Sequence, residues 1–205
     1  MISRAPKYRR ARPEDRRADL VEATIACLAE HGHAGVSVRR IATRAGVSAG
    51  LVNHHFDGIE SLVAAAYEEM SDMVLGRVLA RVAEETEPRR RLSAYFHATF
   101  SEDLLDPSLL RVWVVFWSML PHAEPLRVIQ RRAWADYRRS LEAVIGDCVP
   151  AGVGLDVARL SLGLAALMDG LWLQWGLDPQ SYRPQDAIEL CEELVEDALA
   201  RAAAT

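Results

Sequence analysis

Residues 37–56 read Ser37-Val-Arg-Arg-Ile-Ala-Thr-Arg-Ala-Gly-Val-Ser48-Ala-Gly-Leu-Val-Asn-His-His-Phe56. Ser37 and Ser48 each stand where a helix wants an N-cap, and Gly46 stands between them where a tight turn favours a residue without a Cβ. Ile41, Ala45, Val47, Leu51 and Phe56 are left to hold two short helices together, while Arg39, Arg44, Asn53, His54 and His55 project polar groups. Two short helices joined by a tight turn are the physical requirement of a helix-turn-helix, whose second helix lies in the major groove of DNA. Asn suits an adenine edge, Arg and His suit phosphate or guanine, and small Ala49 and Gly50 let the start of the second helix approach a phosphate. A helical hairpin with a purely structural role is the competing reading.

Working outward, helical spacing dominates. There is no convincing period-two strand, internal repeat or low-complexity tract beyond the Ala-rich end, so the fold class is all-α, with about nine helices. A helix over 14–31 places Val21, Ile25 and Leu28 on one face and ends near Gly32. After the two short helices, Asp57 and Glu60 have capping-box spacing for a long helix with the stripe Val63, Tyr67, Met70 and Val74, which runs out near Glu87-Pro88. Pro88 and Pro107 open helices to about 101 and 120. Residues 112–115 resemble a strand, but Trp113, Phe116, Trp117 and Leu120 follow i, i+3, i+4, i+7 spacing and favour helix. A helix over about 124–148 carries Leu126, Ile129, Trp134, Tyr137 and Leu141, and two more follow over about 156–176 and 184–203.

The chain has 205 residues, half of them hydrophobic, which suffices for a core in one or two domains and argues against disorder. Cys27, Cys148 and Cys191 match neither a CxxC metal pair nor a disulfide framework, which points to a reducing compartment. Glu14 and Asp15 arrive where a secretion signal needs its apolar run. The longest nearly uncharged stretch, 160–175, is shorter than the roughly 20 residues of a membrane span and contains Asp169. A soluble, cytoplasmic protein with no membrane partner is expected.

The net charge of −5 argues at first against a nucleic-acid partner, yet its distribution reverses that argument. Residues 1–56 hold ten basic and five acidic side chains, a net of +5, against fourteen and twenty-four in the remainder, a net of −10. The expected organisation is a basic arm over 1–13, a DNA-binding domain over 14–60, and a ligand-binding and dimerisation domain over 61–205.

The motif resembles the N-terminal domain of the TetR/AcrR family: the IA-x-x-AGVS-x-G core, the HHF ending and the D-x-x-E-x-L opening of helix four all stand at the right spacings, over about residues 15–65. The resemblance implies that Ser37, Arg39, Ser48, Ala49, Asn53 and His54 face DNA and that His55 touches phosphate. With Arg44 and Gly50, read from the motif itself, they form the candidate DNA-binding set. Two positions depart from the family: Asn53 stands for a tyrosine and Ile59 for a phosphate-binding lysine. The arm, with Arg4, Lys7, Arg9, Arg10, Arg12, Arg16 and Arg17, either supplies the missing contact in the minor groove or on phosphates, or is a solvated leader. Each phosphate it touches steepens the salt dependence by about 0.9 in log-log slope.

Residues 160–175 are apolar nearly all round, which implies burial on more than one side. Family resemblance implies that the last two helices form a four-helix interface with their copies in a homodimer. The candidate residues are Leu160, Leu164, Leu167, Ile188, Cys191, Val195 and Leu199. Asp169 is the anomaly, because a buried carboxylate needs a cation or loses its charge. Trp172 lies three positions on, and Trp113, Phe116 and Trp117 share one face of another helix. Aromatic faces plus one carboxylate are the site type that holds a quaternary ammonium. The alternative is that Asp169 pairs with Arg127 or Arg131 and the tryptophans are core. The strings Trp113-Val-Val-Phe-Trp117 and Gly163-Leu-Ala-Ala-Leu-Met-Asp-Gly-Leu-Trp-Leu173 resemble the C-terminal domain of BetI-type regulators, a subgroup that includes the choline-responsive repressor of glycine betaine synthesis.

The chain is therefore expected to be a ligand-responsive repressor that binds double-stranded operator DNA as a dimer and is released by a small molecule, choline or a related cation. Helix four is expected to serve both halves, abutting the recognition helix with its first turn and walling the sensor cavity with later ones. A different apolar effector, or activation in place of repression, is the nearest alternative. An enzyme is a distant one, since His31-x-His33 and His54-His55 lack i, i+4 metal spacing and no triad, phosphate loop or carboxylate pair stands out. No metal or cofactor is expected. A non-specific architectural DNA binder is the third reading, distinguished by little base preference and no response to small molecules.

Overall fold

Capping side chains and prolines set the helix starts in the computed structural model, which describes residues 13–204. The α-helices among them are α1 (Pro13–His31), α2 (Val38–Arg44), α3 (Ala49–His55), α4 (Gly58–Ala83), α5 (Pro88–Thr99), α6 (Pro107–Met119), α7 (Glu124–Gly146), α8 (Val157–Leu177) and α9 (Pro184–Ala203). The described residues contain no strand, and 112–115 lie inside α6. Two 3-10 turns, His33–Gly35 and Leu120–His122, are additions to the sequence expectation. Glu87 accepts from the amides of Arg89 and Arg90, Asp106 from Ser108 and Leu109, and Asp156 from Arg159. Each such cap is worth roughly 1 kcal/mol, and Pro88, Pro107 and Pro184 fill first-turn positions where no amide donor is needed. The arm residues Arg4, Lys7, Arg9, Arg10 and Arg12 lie outside the described residues. Arg16 and Arg17 belong to α1 rather than to an arm.

The chain divides into two compact units, one ending at Ala66 and the other beginning at Tyr67, so the division falls within α4. In the first unit, Leu20, Cys27 and Leu28 of α1, Ile41 of α2 and Val52 of α3 are buried. Thr24, also buried, returns its hydroxyl to the Leu20 carbonyl at 2.7 Å. In the second, a single core runs through α4 to α9, with Tyr95 and Phe96 of α5, Leu141 and Ile145 of α7, Leu164 and Met168 of α8, and Cys191 and Val195 of α9.

Burial within the chain narrows what the expected dimer face has left to offer. Leu164, Ile188, Cys191, Val195 and Leu199 are buried within the chain itself, and Leu160 and Leu167 pack half-buried against the same cluster. The five buried side chains have little surface to give a partner, while Leu160 and Leu167 keep part of theirs. Nor is α8 enclosed on all sides: one face (Ser161, Leu164, Ala165, Met168, Trp172) is buried, while Leu162, Ala166, Gly170, Leu173 and Leu177 on the other are exposed. On α9 the exposed apolar residues are Leu190 and Leu194. An apolar stripe at helical spacing reports that a face is covered, not what covers it.

Candidate nucleic-acid interface and effector cavity

In the first unit the turn between α2 and α3 closes on backbone geometry alone. The Val47 amide donates to the Ala42 carbonyl at 2.9 Å and the Gly46 amide to Thr43 at 3.2 Å, with Gly46 at φ +66, the left-handed closure that favours glycine. Ser37 and Ser48 each accept an amide three residues on at 3.3 Å, so both hydroxyls cap helices. Val52 and Phe56 point inward, and the Arg17 guanidinium of α1 sits 5.2 Å over the Phe56 ring. What α3 then presents to solvent is Ala49, Gly50, Asn53 and His54, with His55 half-buried and edge-on to His54.

Gly50 has no internal reason to be glycine. Its φ is not positive, and a Cβ built on it meets nothing nearer than Ser48 Oγ at 3.9 Å. Arg39 is exposed and makes no ion pair among the described residues. Arg44 differs, because its guanidinium is held by Glu30 of α1 at 2.8 Å, and that bond pulls the Glu30 carboxyl below its ordinary value. Arg44 is thus part of the scaffold that ties α2 to α1.

In the second unit, α4 to α8 surround a cavity of about 100 Å³. Tyr67 comes from α4, Tyr95 from α5, Trp113 and Trp117 from α6, Trp134 and Tyr137 from α7, and Asp169 and Trp172 from α8. Trp113 and Trp117 lie near-parallel with centroids 6.3 Å apart, and Tyr67 meets Trp113 edge-on at 5.3 Å. The Trp172 indole donates to the Thr99 carbonyl at 3.0 Å, and the Tyr67 hydroxyl donates to Gln130. Burial pushes the Tyr67, Tyr95 and Tyr137 hydroxyls well above the ordinary phenol value, so all three stay neutral.

Asp169 is half-buried in this ring, and burial raises its carboxyl from 3.8 to about 6. The pairing weighed for it does not form: Arg127 and Arg131 both turn to Glu124, and no cation reaches Asp169 among the described residues. The other carboxylates of the lining are compensated, with Arg132 at 3.9 Å from Asp72 and 3.7 Å from Asp136, and Arg139 on Asp136 as well.

Trp113, Trp117, Asp169 and Trp172 are brought together as their spacing suggested. Phe116 is not among the lining residues. It is fully buried, with its ring 4.6 Å from Tyr67, and so backs the wall. Sequence reasoning missed Tyr67, Tyr95, Trp134 and Tyr137. Three of them, Tyr67, Trp134 and Tyr137, sit in stripes read as core, and the signal that separates them from core is a polar tip on each ring.

Residues 20–66 match the family model of bacterial regulatory proteins of the tetR family, and residues 88–200 match that of the BetI-type transcriptional repressor, C-terminal. The chain is 33% identical over 187 residues to the HTH-type transcriptional regulator BetI 1 of Chromohalobacter salexigens, covering 91% of each chain. To the regulator BetI of Burkholderia mallei it is 31% identical, covering 91% of this chain and 95% of that one. Among solved structures, a transcriptional regulator from Pseudomonas aeruginosa is 39% identical with a TM-score of 0.88 over 96% of both chains. One from a Rhodococcus species is 28% identical with a TM-score of 0.75, over 90% of this chain and 96% of that one.

Proposed function

Because the chain belongs to the TetR family of bacterial regulatory proteins and carries a C-terminal domain of the BetI type, we propose that it is a ligand-released repressor, a homodimer that reads a pseudo-palindromic operator through α3 and leaves it when a small cation enters the aromatic cavity. Asp169 carries this reading. A carboxylate half-buried among indole and phenol rings without a partner costs free energy, which a cation restores. A quaternary ammonium gains the carboxylate and also about 0.5 to 2 kcal/mol from the ring faces. Choline is the effector that the BetI-type resemblance implies.

On the DNA side, Asn53 and His54 offer groups for base edges from the exposed face of α3, Ala49 and Gly50 keep its first turn slim, and Arg39 and His55 serve phosphates. Ser37 and Ser48 act through the caps that fix the two helices. The exposed Leu162 of α8 and Leu190 and Leu194 of α9, with the small residues Gly163, Ala166 and Gly170 beside the first, support a close helix pairing with a second copy. Two recognition helices then address half-sites about 34 to 36 Å apart. α4 supplies residues to both units, and it is the covalent route by which occupancy of the cavity biases the DNA-binding spacing. A coupling of about 1 to 3 kcal/mol changes operator affinity roughly 5- to 150-fold.

Footprinting on the chain's own upstream region tests the reading. A protected pseudo-palindrome that is lost on adding choline or tetramethylammonium is the expected result. Equal affinity for generic DNA at matched salt, or a footprint indifferent to every ammonium ion, overturns it.

A further inference from the structure

A second cavity shares three of the tryptophans. It occupies about 240 Å³ beside α6 and α8, and Trp113, Trp117 and Trp172 line it as they line the first. Leu110, Val114, Val115, Leu173 and Leu177 supply much of the remaining wall, and Arg111 is the charged residue of the lining. Val114 and Leu177 stand 44% and 72% exposed there, large apolar side chains left in water. The first cavity has the opposite character, because its lining contains Asp72, Asp136 and Asp169 and no Arg or Lys, and only Asp169 is uncompensated. The same three indoles thus border both a carboxylate and aliphatic side chains. A single ligand satisfies both when it is charged at one end and apolar at the other.

We propose that the effector is an amphiphilic alkylammonium ion, its cationic head against Asp169 and its alkyl chain lying along Trp113, Trp117 and Trp172 into the cavity beside α6 and α8. This rests on Asp169 being a cation site, as argued above, and it names a class of ligand larger than choline. Transfer of each methylene from water to the second cavity tightens binding about fourfold. A cationic tail gains nothing from that wall, whose one charged residue is Arg111.

Calorimetric titration of the full chain with tetramethylammonium and with butyl-, hexyl- and octyltrimethylammonium, each below its micelle-forming concentration, tests this. Affinity is expected to rise about fourfold per methylene over the series. Val114→Phe fills the second cavity and is expected to flatten the series while tetramethylammonium binds as before. Leu177→Gln, at a site already in solvent, gives the same trend more weakly should the first variant fold poorly. Asp169→Asn is expected to weaken every member by a similar factor. A series that is flat in the native chain overturns the alkyl-chain inference and leaves the cation site standing. A series that binds Asp169→Asn undiminished brings down the cation site itself. Conversion of a dimer to a monomer by Val114→Phe, read by sedimentation, assigns the groove to a second copy and also overturns the inference.

Discussion

Replacing Asp169 with Asn is expected to make the ligand-free protein more stable at neutral pH while making it a poorer cation binder. Burial moves the Asp169 carboxyl from 3.8 to about 6, which is the cost of ionising it inside the ring of indoles and phenols. Below pH 3.8 the group is protonated folded and unfolded alike and contributes no penalty. Between pH 3.8 and 6 the folded chain holds a proton the unfolded chain has lost, so stability falls as pH rises, and above 6 the full penalty is constant. At about 1.4 kcal/mol per pH unit the penalty reaches at most about 3 kcal/mol, the open side of the cavity reducing it. Asn keeps the shape and never ionises. At about 2 to 4 °C per kcal/mol for a chain of this size, its Tm exceeds the native one by as much as about 6 to 12 °C at pH 7. The two proteins converge near pH 4. Scanning calorimetry of both, without ligand, at pH 4, 5, 6 and 7 reads the difference directly. A variant less stable at pH 7 means that Asp169 has a favourable internal partner, and an offset equal at pH 4 and pH 7 means that ionising it costs nothing; either result collapses the argument for a cation site. Cation affinity of the native chain is expected to fall about tenfold per unit below pH 6, since only the ionised carboxylate attracts the ligand.

Gly50→Ala separates folding from reading: α3 is expected to gain about 0.5 to 1 kcal/mol in thermal or urea unfolding, because the new methyl meets only open space, while operator affinity falls in a gel-shift titration. Leu190→Glu sits at an exposed position, so the protomer's own stability is expected to stay within about 0.5 kcal/mol, while sedimentation shows loss of the dimer and the footprint weakens in step.

Local rules made the helix plan legible. A serine, an acid or a proline at each start and a glycine at the sharp turn marked the boundaries, and the observed helices begin and end within a few residues of those signs. The outward face of α3 was legible for the same reason, since Val52 and Phe56 must point inward and that leaves Asn53 and His54 outside. What one chain's periodicity does not carry is the identity of a neighbour. Leu162 and Leu164 stand two positions apart on α8, yet one faces water and the other fills the chain's own core. Phe116 and Trp117 are adjacent, and only the indole reaches the cavity. Arg44 carries a charge suited to DNA, and its engagement by Glu30 depends on how α1 crosses α2, a tertiary fact absent from local spacing. The ring of phenols escaped notice because its members are contributed by three different helices, one or two at a time.

The aromatic ring has a spectroscopic consequence. All five tryptophans of the chain, Trp113, Trp117, Trp134, Trp172 and Trp175, belong to the unit that begins at Tyr67, and four of them line the cavity that holds Asp169. Intrinsic fluorescence excited at the indole band therefore reports on the second unit alone, and the first is dark at that wavelength. Any ligand that settles against those rings is expected to quench or shift an emission that the protein supplies itself, so occupancy of the cavity can be followed without a label and in the presence of DNA.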